Sequence, residues 1–290
     1  MTGDLSNRKE WFGGVRRLVI KIGSAVLTGP RGLDRVMIHR LSDQIAELKA
    51  QGREVVVVSS GAVASGVRKV GLAEKPKAIP QKQAAAAVGQ SVLMQAWEEA
   101  FDKYDLLVAQ VLLTAEDLSH RHRYLNARNT LEVLIDWGIS PIINENDTVV
   151  VEEIKFGDND QLSIMIAGLI GADLIVTLTD TEGLYDCDPR LHSEAKLIPL
   201  VQRVDAKLLA CAAPPQELWA PEECTANCSR RRNRLHRGFP WSSRRGGSGT
   251  RCFAFLPGSR LERFSSRGKG CIMAGRSGLP TCPNRRATWC

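Results

Sequence analysis

The feature of this sequence that most constrains its fold is an alternation of apolar, strand-like runs with helical segments, repeated five times before residue 190. The first unit contains Arg16–Ile22, a helical pattern over Asp34–Gln51 and the apolar run Glu54–Val58. A strand, a helix and a second strand within about forty residues are typical of a βαβ unit. Nearly every strand-like run ends in a turn of small or polar residues. The alternation predicts an open α/β sheet with a ligand cleft at the carboxyl ends of its strands.

The remaining elements are predicted from the same periodicities. Apolar runs predict strands at Asp105–Leu113, Ser140–Ile143 and Asp173–Leu178, and alternation over Val149–Phe156 predicts a hairpin arm. We expect helices at Pro80–Tyr104, Glu116–Trp137 and Gln161–Gly171, the first with Val88, Leu93, Met94, Trp97 and Phe101 on its apolar side.

Two turns, Asn144–Asp147 and Gly157–Asp160, are unusually rich in acidic and amide side chains. An Asp or Asn before a helix can cap its free N–H groups, but capping explains one such residue and not three. Because each turn follows a strand-like segment, the two turns predict the border of a site at one edge of the sheet. The alternative is a pair of well-capped loops.

Lys21 ends the first strand and Gly23 follows it, a combination that can bring an ammonium group and bare backbone to a phosphate. The alternative is an edge-strand lysine that prevents strand pairing. Ser60 follows the second strand and is placed to bind a ligand. No pattern of alternating glycines surrounds Ser60, so we do not expect it to be a covalent nucleophile.

The composition is globular, with 43% hydrophobic and 24% charged residues. The polar segment Met1–Glu10 lacks the apolar core of a signal peptide, and no apolar run is long enough to span a bilayer. We therefore expect a cytoplasmic protein that does not associate with membranes.

The chain has a net charge of +7, and the excess of basic residues comes entirely from its end. Residues 214–290 hold 15 of the 39 Lys and Arg but only 4 of the 32 Asp and Glu. Seven of the eight cysteines lie after residue 210. Cys224, Cys228 and His236 come nearest to a zinc pattern, but no second ligand pair follows, so we expect no zinc site and no side chain that binds a metal ion directly. The arginines leave nucleic-acid binding by the tail as an alternative function, although no base-reading motif accompanies them.

Several motifs together resemble the amino acid kinase family over about residues 15–210. They are Val19-Ile20-Lys21-Ile22-Gly23-Ser24, Ser59-Ser60-Gly61-Ala62, Ile143-Asn144-Glu145-Asn146-Asp147, Gly157-Asp158-Asn159-Asp160, and Leu178-Thr179-Asp180 with Gly183-Leu184-Tyr185 and Asp188-Pro189. The resemblance implies a three-layer αβα sandwich with a mainly parallel central sheet of about eight strands. The paired Asn-Glu-Asn-Asp and Gly-Asp-Asn-Asp turns are similar to those of members that phosphorylate the side-chain carboxylate of L-glutamate with ATP and Mg²⁺, the first step of proline biosynthesis.

The resemblance also implies a role for each matching residue. Lys21 and Asp160 would be catalytic, with Lys21 stabilising the transferring phosphoryl group and Asp160 holding Lys21 or binding magnesium through water. L-glutamate would be bound by Ser60, Asp147 and Asn159. The nucleotide would be bound by Lys21, Gly23, Thr179 and Asp180. We further expect a homo-oligomer.

The resemblance stops near residue 213. Members of the family continue with a Gly-Thr-Gly-Gly-Met segment, and a lysine three residues on supplies a second cation. Here Pro214-Pro215-Gln216 follows, and residues 214–290 contain no Asp, no Val and one Ile, a composition that does not predict buried strands. The predicted domains are an N-terminal extension at residues 1–14, an incomplete, truncated kinase domain at 15–213 and a disordered or frameshifted tail at 214–290.

A hypothesis that would account for the tail is a change of reading frame. Codons can be chosen for Gln216–Cys228 that, read two bases further on, encode Gly-Thr-Val-Gly-Thr-Gly-Gly-Met-Tyr-Ser-Lys-Leu, which contains the missing segment. We therefore expect a kinase with impaired activity. A non-catalytic relative that binds an amino acid remains an alternative.

Overall fold

The computed structural model describes residues 12–29, 32–150, 159–180, 183–187, 192–198 and 200–201, and the backbone of residues 251–255 and 272–274. Its helices are α1 (Ser24–Leu27), α2 (Arg35–Ala50), α3 (Ala62–Val70), α4 (Ile79–Asp102), α5 (Ala115–Ser119), α6 (Arg121–Asp136) and α7 (Asn159–Ile170). Its strands are β1 (Arg17–Ile22), β2 (Thr28–Gly29), β3 (Gly32–Leu33), β4 (Glu54–Ser59), β5 (Val108–Leu113), β6 (Ser140–Glu145), β7 (Leu174–Leu178), β8 (Leu200–Val201), β9 (Arg251–Phe255) and β10 (Ile272–Ala274).

The described part of the chain forms an eight-stranded sheet in the order β5-β6-β4-β1-β7-β9-β10-β8, and β2 pairs with β3 separately. The five strands β5, β6, β4, β1 and β7 run parallel. In the sheet, β4 lies on one side of β1 and β7 lies on the other. The strand order therefore extends in opposite directions from β1. Open α/β sheets bind ligands outside the carboxyl ends of their strands at such a point.

Helices cover both faces of the sheet, which confirms the three-layer αβα architecture. One face packs against α2 and α4 through residues such as Ile45, Leu93 and Trp97. The opposite face packs against α6 and α7 through residues such as Ile135, Leu162 and Ile166. Alternation along β1 sends Leu18 and Ile20 to the first face and Val19 to the second. Lys21 therefore shares its face with Val19 and with α7.

The predicted helices are largely confirmed, with two corrections. The helix predicted over Glu116–Trp137 is two helices, because His120 has extended backbone angles (φ −91°, ψ 120°) and separates α5 from α6. Val88 was predicted on the apolar side of α4 but is 40% exposed, because small residues of α4 form its contact with α3.

The tail contributes two strands to the sheet, β9 and β10, although its composition does not predict buried strands. β9 pairs in parallel with β7, and β10 pairs with β9 and β8. Backbone groups along the edge of β7 can pair with any extended segment, whatever its side chains. The rest of the tail and residues 1–11 of the predicted extension lie outside the described residues, as do residues 151–158 of the predicted hairpin arm and turn.

None of the helices in the described ranges combines the length and the apolar character needed to cross a bilayer.

Candidate functional site

Lys21 lies at the carboxyl end of the strand about which the sheet changes direction. β1 pairs with β4 on one side and β7 on the other, with Lys21 opposite Val58 and Thr177. The residue is only 4% exposed. Lys21 is therefore in a central strand, and the alternative interpretation as an edge-strand lysine is wrong. A buried ammonium group needs an anionic partner, since burial without one is costly.

That partner comes from the first turn of α7. The Nζ atom of Lys21 lies 2.7 Å from Oδ1 of Asp160. The side chain of Asp160 is 54% exposed, so one end of the ion pair is buried and the other meets solvent. A carboxylate in the first turn is also stabilised by the positive end of the helix dipole. The pair therefore holds a buried cation at the carboxyl end of β1, with its carboxylate partner at the surface.

Gly23 lies next to this pair, but its own N–H group is already used. Gly23 donates to the carbonyl of Leu178 at 3.0 Å, which ties the end of β1 to the end of β7. A Cβ atom at this position would lie 3.4 Å from the Leu178 oxygen and 3.8 Å from Nζ of Lys21. Gly23 therefore contributes open space beside the ammonium group rather than a free backbone donor.

Ser60 follows β4, the other neighbour of β1. Its backbone N–H donates to the carbonyl of Ile22 at 3.1 Å, so the turn after β4 is attached to β1. The next residue, Gly61, is the N-cap of α3 and has φ of +108°, a backbone conformation that is strained in a residue with an L side chain. The sharp turn leaves Ser60 half-buried at the carboxyl edge.

Asn159 connects three segments that are distant in sequence. Its Nδ2 atom donates to Oγ of Ser60 at 2.8 Å and to Oδ1 of Asn144 at 3.0 Å. Asn144 in turn donates from Nδ2 to Oε1 of Gln90 at 2.9 Å. The polar residues around residues 144 and 159 therefore bond to one another across the edge of the sheet, which the interpretation as two separate capped loops does not predict.

The other predicted site residues lie in loops at the same edge. Asp147 is half-buried in the turn after β6, which is held by a hydrogen bond of 3.0 Å from the Asn146 amide to the Leu113 carbonyl. Thr179 and Asp180 follow β7, and the hydroxyl of Thr179 donates to Oδ1 of Asp180 at 3.1 Å. Gly157 and Asp158 of the predicted turn lie outside the described residues.

Two residues of this edge, Asn144 and Gln90, were not among the predicted site residues. Asn144 belongs to a turn that was singled out, but the resemblance gave it no role. Gln90 lies three, four and seven residues before Leu93, Met94 and Trp97, so the helical period places it on their buried face. The sequence signal for Gln90 was a single amide side chain on a helix face that is otherwise apolar.

The edge has carboxylates suited to Mg²⁺. Asp160 is half exposed and its Oδ1 atom meets Lys21, while Asp180 is exposed on the neighbouring loop. Mg²⁺ usually keeps several waters and takes one or two carboxylates together with substrate phosphates. The residues present fit that mode of binding.

Comparison with known proteins matches residues 16–214 to the amino acid kinase family. The chain is 66% identical over 197 residues to glutamate 5-kinase of Meiothermus ruber, covering 68% of this chain and 52% of that protein. It is 58% identical over 193 residues to a glutamate 5-kinase of Thermus thermophilus and 55% identical over 195 residues to that of Geobacter sulfurreducens, each covering 67% of this chain and 52% of the relative. The chain thus spans about half the length of these relatives.

The fold also resembles a solved structure, that of UMP kinase from Ureaplasma parvum. The TM-score is 0.57 at 14% identity, and the match covers 90% of this chain and 99% of the other. At that identity the likeness concerns the fold alone.

Proposed function

Because the chain belongs to the amino acid kinase family, we propose that it transfers a phosphoryl group from ATP to the side-chain carboxylate of L-glutamate. The products are ADP and L-glutamyl 5-phosphate, and the reaction is the first step of proline biosynthesis. Relatives that are 55 to 66% identical over the matched region bear the name glutamate 5-kinase, which supports this choice of substrate.

The observation that carries the proposal is the buried ammonium group of Lys21, paired with Asp160 at 2.7 Å where the sheet changes direction. Transfer of a phosphoryl group spreads negative charge over its oxygens, and catalysis depends mainly on alignment and on positive charge close to them. A carboxylate that attacks phosphorus needs no nucleophile from the protein. Asp160 keeps Lys21 aimed at the edge and does not itself touch the phosphate, since two anions would repel.

The neighbouring side chains suit the two charged groups of an amino acid. Ser60 Oγ accepts from Asn159 at 2.8 Å, which leaves the Ser60 hydroxyl hydrogen to donate to a carboxylate. Asp147 suits the α-ammonium group, with which it can form a charged hydrogen bond. Together these residues would orient the substrate with its distal carboxylate toward Lys21.

On the nucleotide side, Thr179 and Asp180 would line the pocket next to Gly23. Open space at Gly23 lets the phosphates approach the lysine, whereas a side chain there would occupy that approach. Magnesium, when bound, neutralises phosphate charge, and Asp160 would hold it through water.

We propose in addition that the 290-residue chain is an impaired enzyme. The segment that would supply a second cation over the phosphates is not in the sequence after Ala213. Losing a cation of this kind costs roughly a thousandfold or more in rate, judging by arginine fingers. The reading-frame explanation predicts that the coding DNA contains a missing or extra base near Gln216. An uninterrupted frame with other codons would contradict it.

The test uses the full chain with ATP, Mg²⁺, L-glutamate and hydroxylamine, which traps the acyl phosphate as a hydroxamate. We expect slow formation of the hydroxamate that depends on L-glutamate and falls by about 10²–10³-fold in Lys21→Met. Lys103→Met is the matched control, since Lys103 pairs with Asp43 on the exposed surface. Hydroxamate formation unchanged by Lys21→Met, or no binding of L-glutamate by calorimetry, would contradict the proposed function. The expected homo-oligomer and cytoplasmic location remain predictions.

A further inference from the structure

The carboxyl edge of the sheet carries a chain of three side-chain amides, from Gln90 through Asn144 to Asn159. Gln90 Oε1 accepts from Asn144 at 2.9 Å, and Asn144 Oδ1 accepts from Asn159 at 3.0 Å. All three side chains belong to buried residues. The chain runs from α4 over the end of β6 to the first residue of α7, so it joins the two helical layers.

The direction of this chain is set by one backbone group. The N–H of Glu145 donates to the side chain of Asn144 at 2.9 Å. A backbone N–H can only donate, so the atom it meets must be the amide oxygen. The NH₂ group of Asn144 must then face Gln90, which has to present oxygen, and Asn159 has to present its own NH₂ group to Asn144.

This direction leaves a defined group of Asn159 for a ligand. Both hydrogens of its amide are used, one on Ser60 and one on Asn144. The oxygen remains, and an amide oxygen accepts hydrogen bonds only. It therefore suits an ammonium group and does not suit a carboxylate.

In this arrangement one polar group of Gln90 is buried without a hydrogen-bond partner. The residue is 8% exposed, and its Nε2 atom has no hydrogen-bond partner. Two other described side chains have such an atom, Arg53 and Ser140, and both lie at the amino ends of strands. On the apolar face of α4 a methionine of similar size would avoid the unpaired group. Packing alone gives no reason for an amide at this position, whereas the bond to Asn144 does.

We propose that Gln90 is a positioning residue of the amino-acid site. By accepting from the NH₂ group of Asn144 it holds that amide in place, and Asn144 in turn keeps the oxygen of Asn159 available to the α-ammonium group of the substrate. Without this acceptor Asn144 has a buried NH₂ group and rotates to find another partner. The inference rests on the proposed function, because it takes L-glutamate as the amino acid bound.

The test measures binding by calorimetry to the full 290-residue chain, so that it does not depend on turnover. L-glutamate is compared with glutarate, which has both carboxylates and no α-ammonium group. We expect Gln90→Met to weaken L-glutamate binding by about tenfold, the size of one charged hydrogen bond, and to leave glutarate binding unchanged. Gln90→Glu, which keeps an acceptor oxygen, should retain the preference for L-glutamate. Ser140→Ala, which also removes an unpaired buried polar group, should behave as the unaltered chain.

The outcomes separate the two proposals. An unaltered chain that does not bind L-glutamate contradicts the proposed function, and the inference with it. An unaltered chain that binds, with the same preference in Gln90→Met, overturns the inference alone. Equal weakening of both ligands in Gln90→Met, or failure of this variant to fold, would make Gln90 a structural residue and would also overturn it.

Discussion

Gly66 of α3 and Gly89 of α4 face each other so closely that neither position has room for a methyl group. A Cβ atom on Gly66 would lie 1.7 Å from the carbonyl oxygen of Ala85, and one on Gly89 would lie 1.8 Å from that of Ala62. In both cases the obstacle is backbone, which cannot move aside as a flexible side chain can. The contact fixes α3, which begins next to Ser60, against the helix that carries Gln90.

Substituting either glycine should separate these helices. We expect Gly66→Ala and Gly89→Ala to lower the free energy of unfolding by about 3 kcal/mol or more, at or beyond the upper end for overpacked cores. Gly168→Ala is the control, because Gly168 is also helical but a Cβ there meets nothing within 4 Å. It should raise stability by about 0.5–1 kcal/mol through the gain in helix propensity. Urea denaturation measures all three, and a stable Gly89→Ala would show that the helices can separate at little cost.

Restoring the reading frame should restore activity. A chain that continues after Ala213 in the alternative frame acquires the Gly-Thr-Gly-Gly-Met segment and its lysine. We expect ATP-dependent formation of glutamyl hydroxamate to rise by about a thousandfold or more, the range for supplying a second cation. A repaired chain in which that new lysine is replaced by methionine is the control. Equal rates for the 290-residue and repaired chains would contradict the idea that the present chain is impaired.

Asp160→Asn tests whether the carboxylate positions Lys21. The substitution keeps the size of the side chain but removes the charge opposite an almost fully buried ammonium group. In the repaired chain we expect the rate to fall by about 10–100-fold, as when groups that orient a charged site are lost, with L-glutamate affinity unchanged. Asp43→Asn removes the carboxylate of another Lys–Asp pair, away from this edge, and should have little effect on rate. A full rate in Asp160→Asn would show that Lys21 needs no partner.

The start of α5 should contribute a pH-dependent part of the stability. Thr114 accepts from the amide of Asp117 at 3.1 Å, and Asp117 accepts from the amide of Thr114 at 2.8 Å. Burial alone would raise the pKa of Asp117, but hydrogen bonds from Thr114 and the nearby Arg123 outweigh it and hold the pKa below its usual value. A lowered pKa in the folded state means stabilisation that is present above the unfolded-state pKa and lost as the pH falls through the folded-state value.

We expect Asp117→Asn to cost about 0.5–1 kcal/mol at neutral pH, within the range for helix caps. The difference from the unaltered chain should disappear as the pH falls through the lowered folded-state pKa of Asp117, because both side chains are then uncharged. Thr114→Ser, which keeps the capping hydroxyl, should change little at either pH. A difference between the unaltered chain and Asp117→Asn that persists at low pH would assign it to geometry rather than charge.

Much of the fold could be predicted because its signals are local. The apolar run of β1 and the Asp34 cap of α2, which accepts from the Met37 amide at 3.0 Å, are both visible in the sequence. The break at His120 was not visible, since no glycine or proline marks it. The carbonyl of His120 accepts from the Tyr124 amide at 2.8 Å, so one residue both ends α5 and begins α6.

The site could be predicted only in part. Resemblance pointed to Lys21 and Asp160, and the structure pairs them. It did not point to Gln90, because its link to Asn144 joins residues 54 positions apart and depends on how α4 lies over β6. The roles of these residues remain predictions that the experiments above address.

The position of Lys21 in a central strand also affects the order in which the molecule can assemble. β1 pairs with β4 and β7, and the ammonium group gains its carboxylate only from α7. A nascent chain that has been synthesised only as far as β6 does not yet contain α7. It must therefore keep Lys21 in water or bury it as an isolated charge, which is unfavourable. Completion of β1 should thus wait for synthesis of α7, and the ammonium group of Lys21 would reach its final place late in folding.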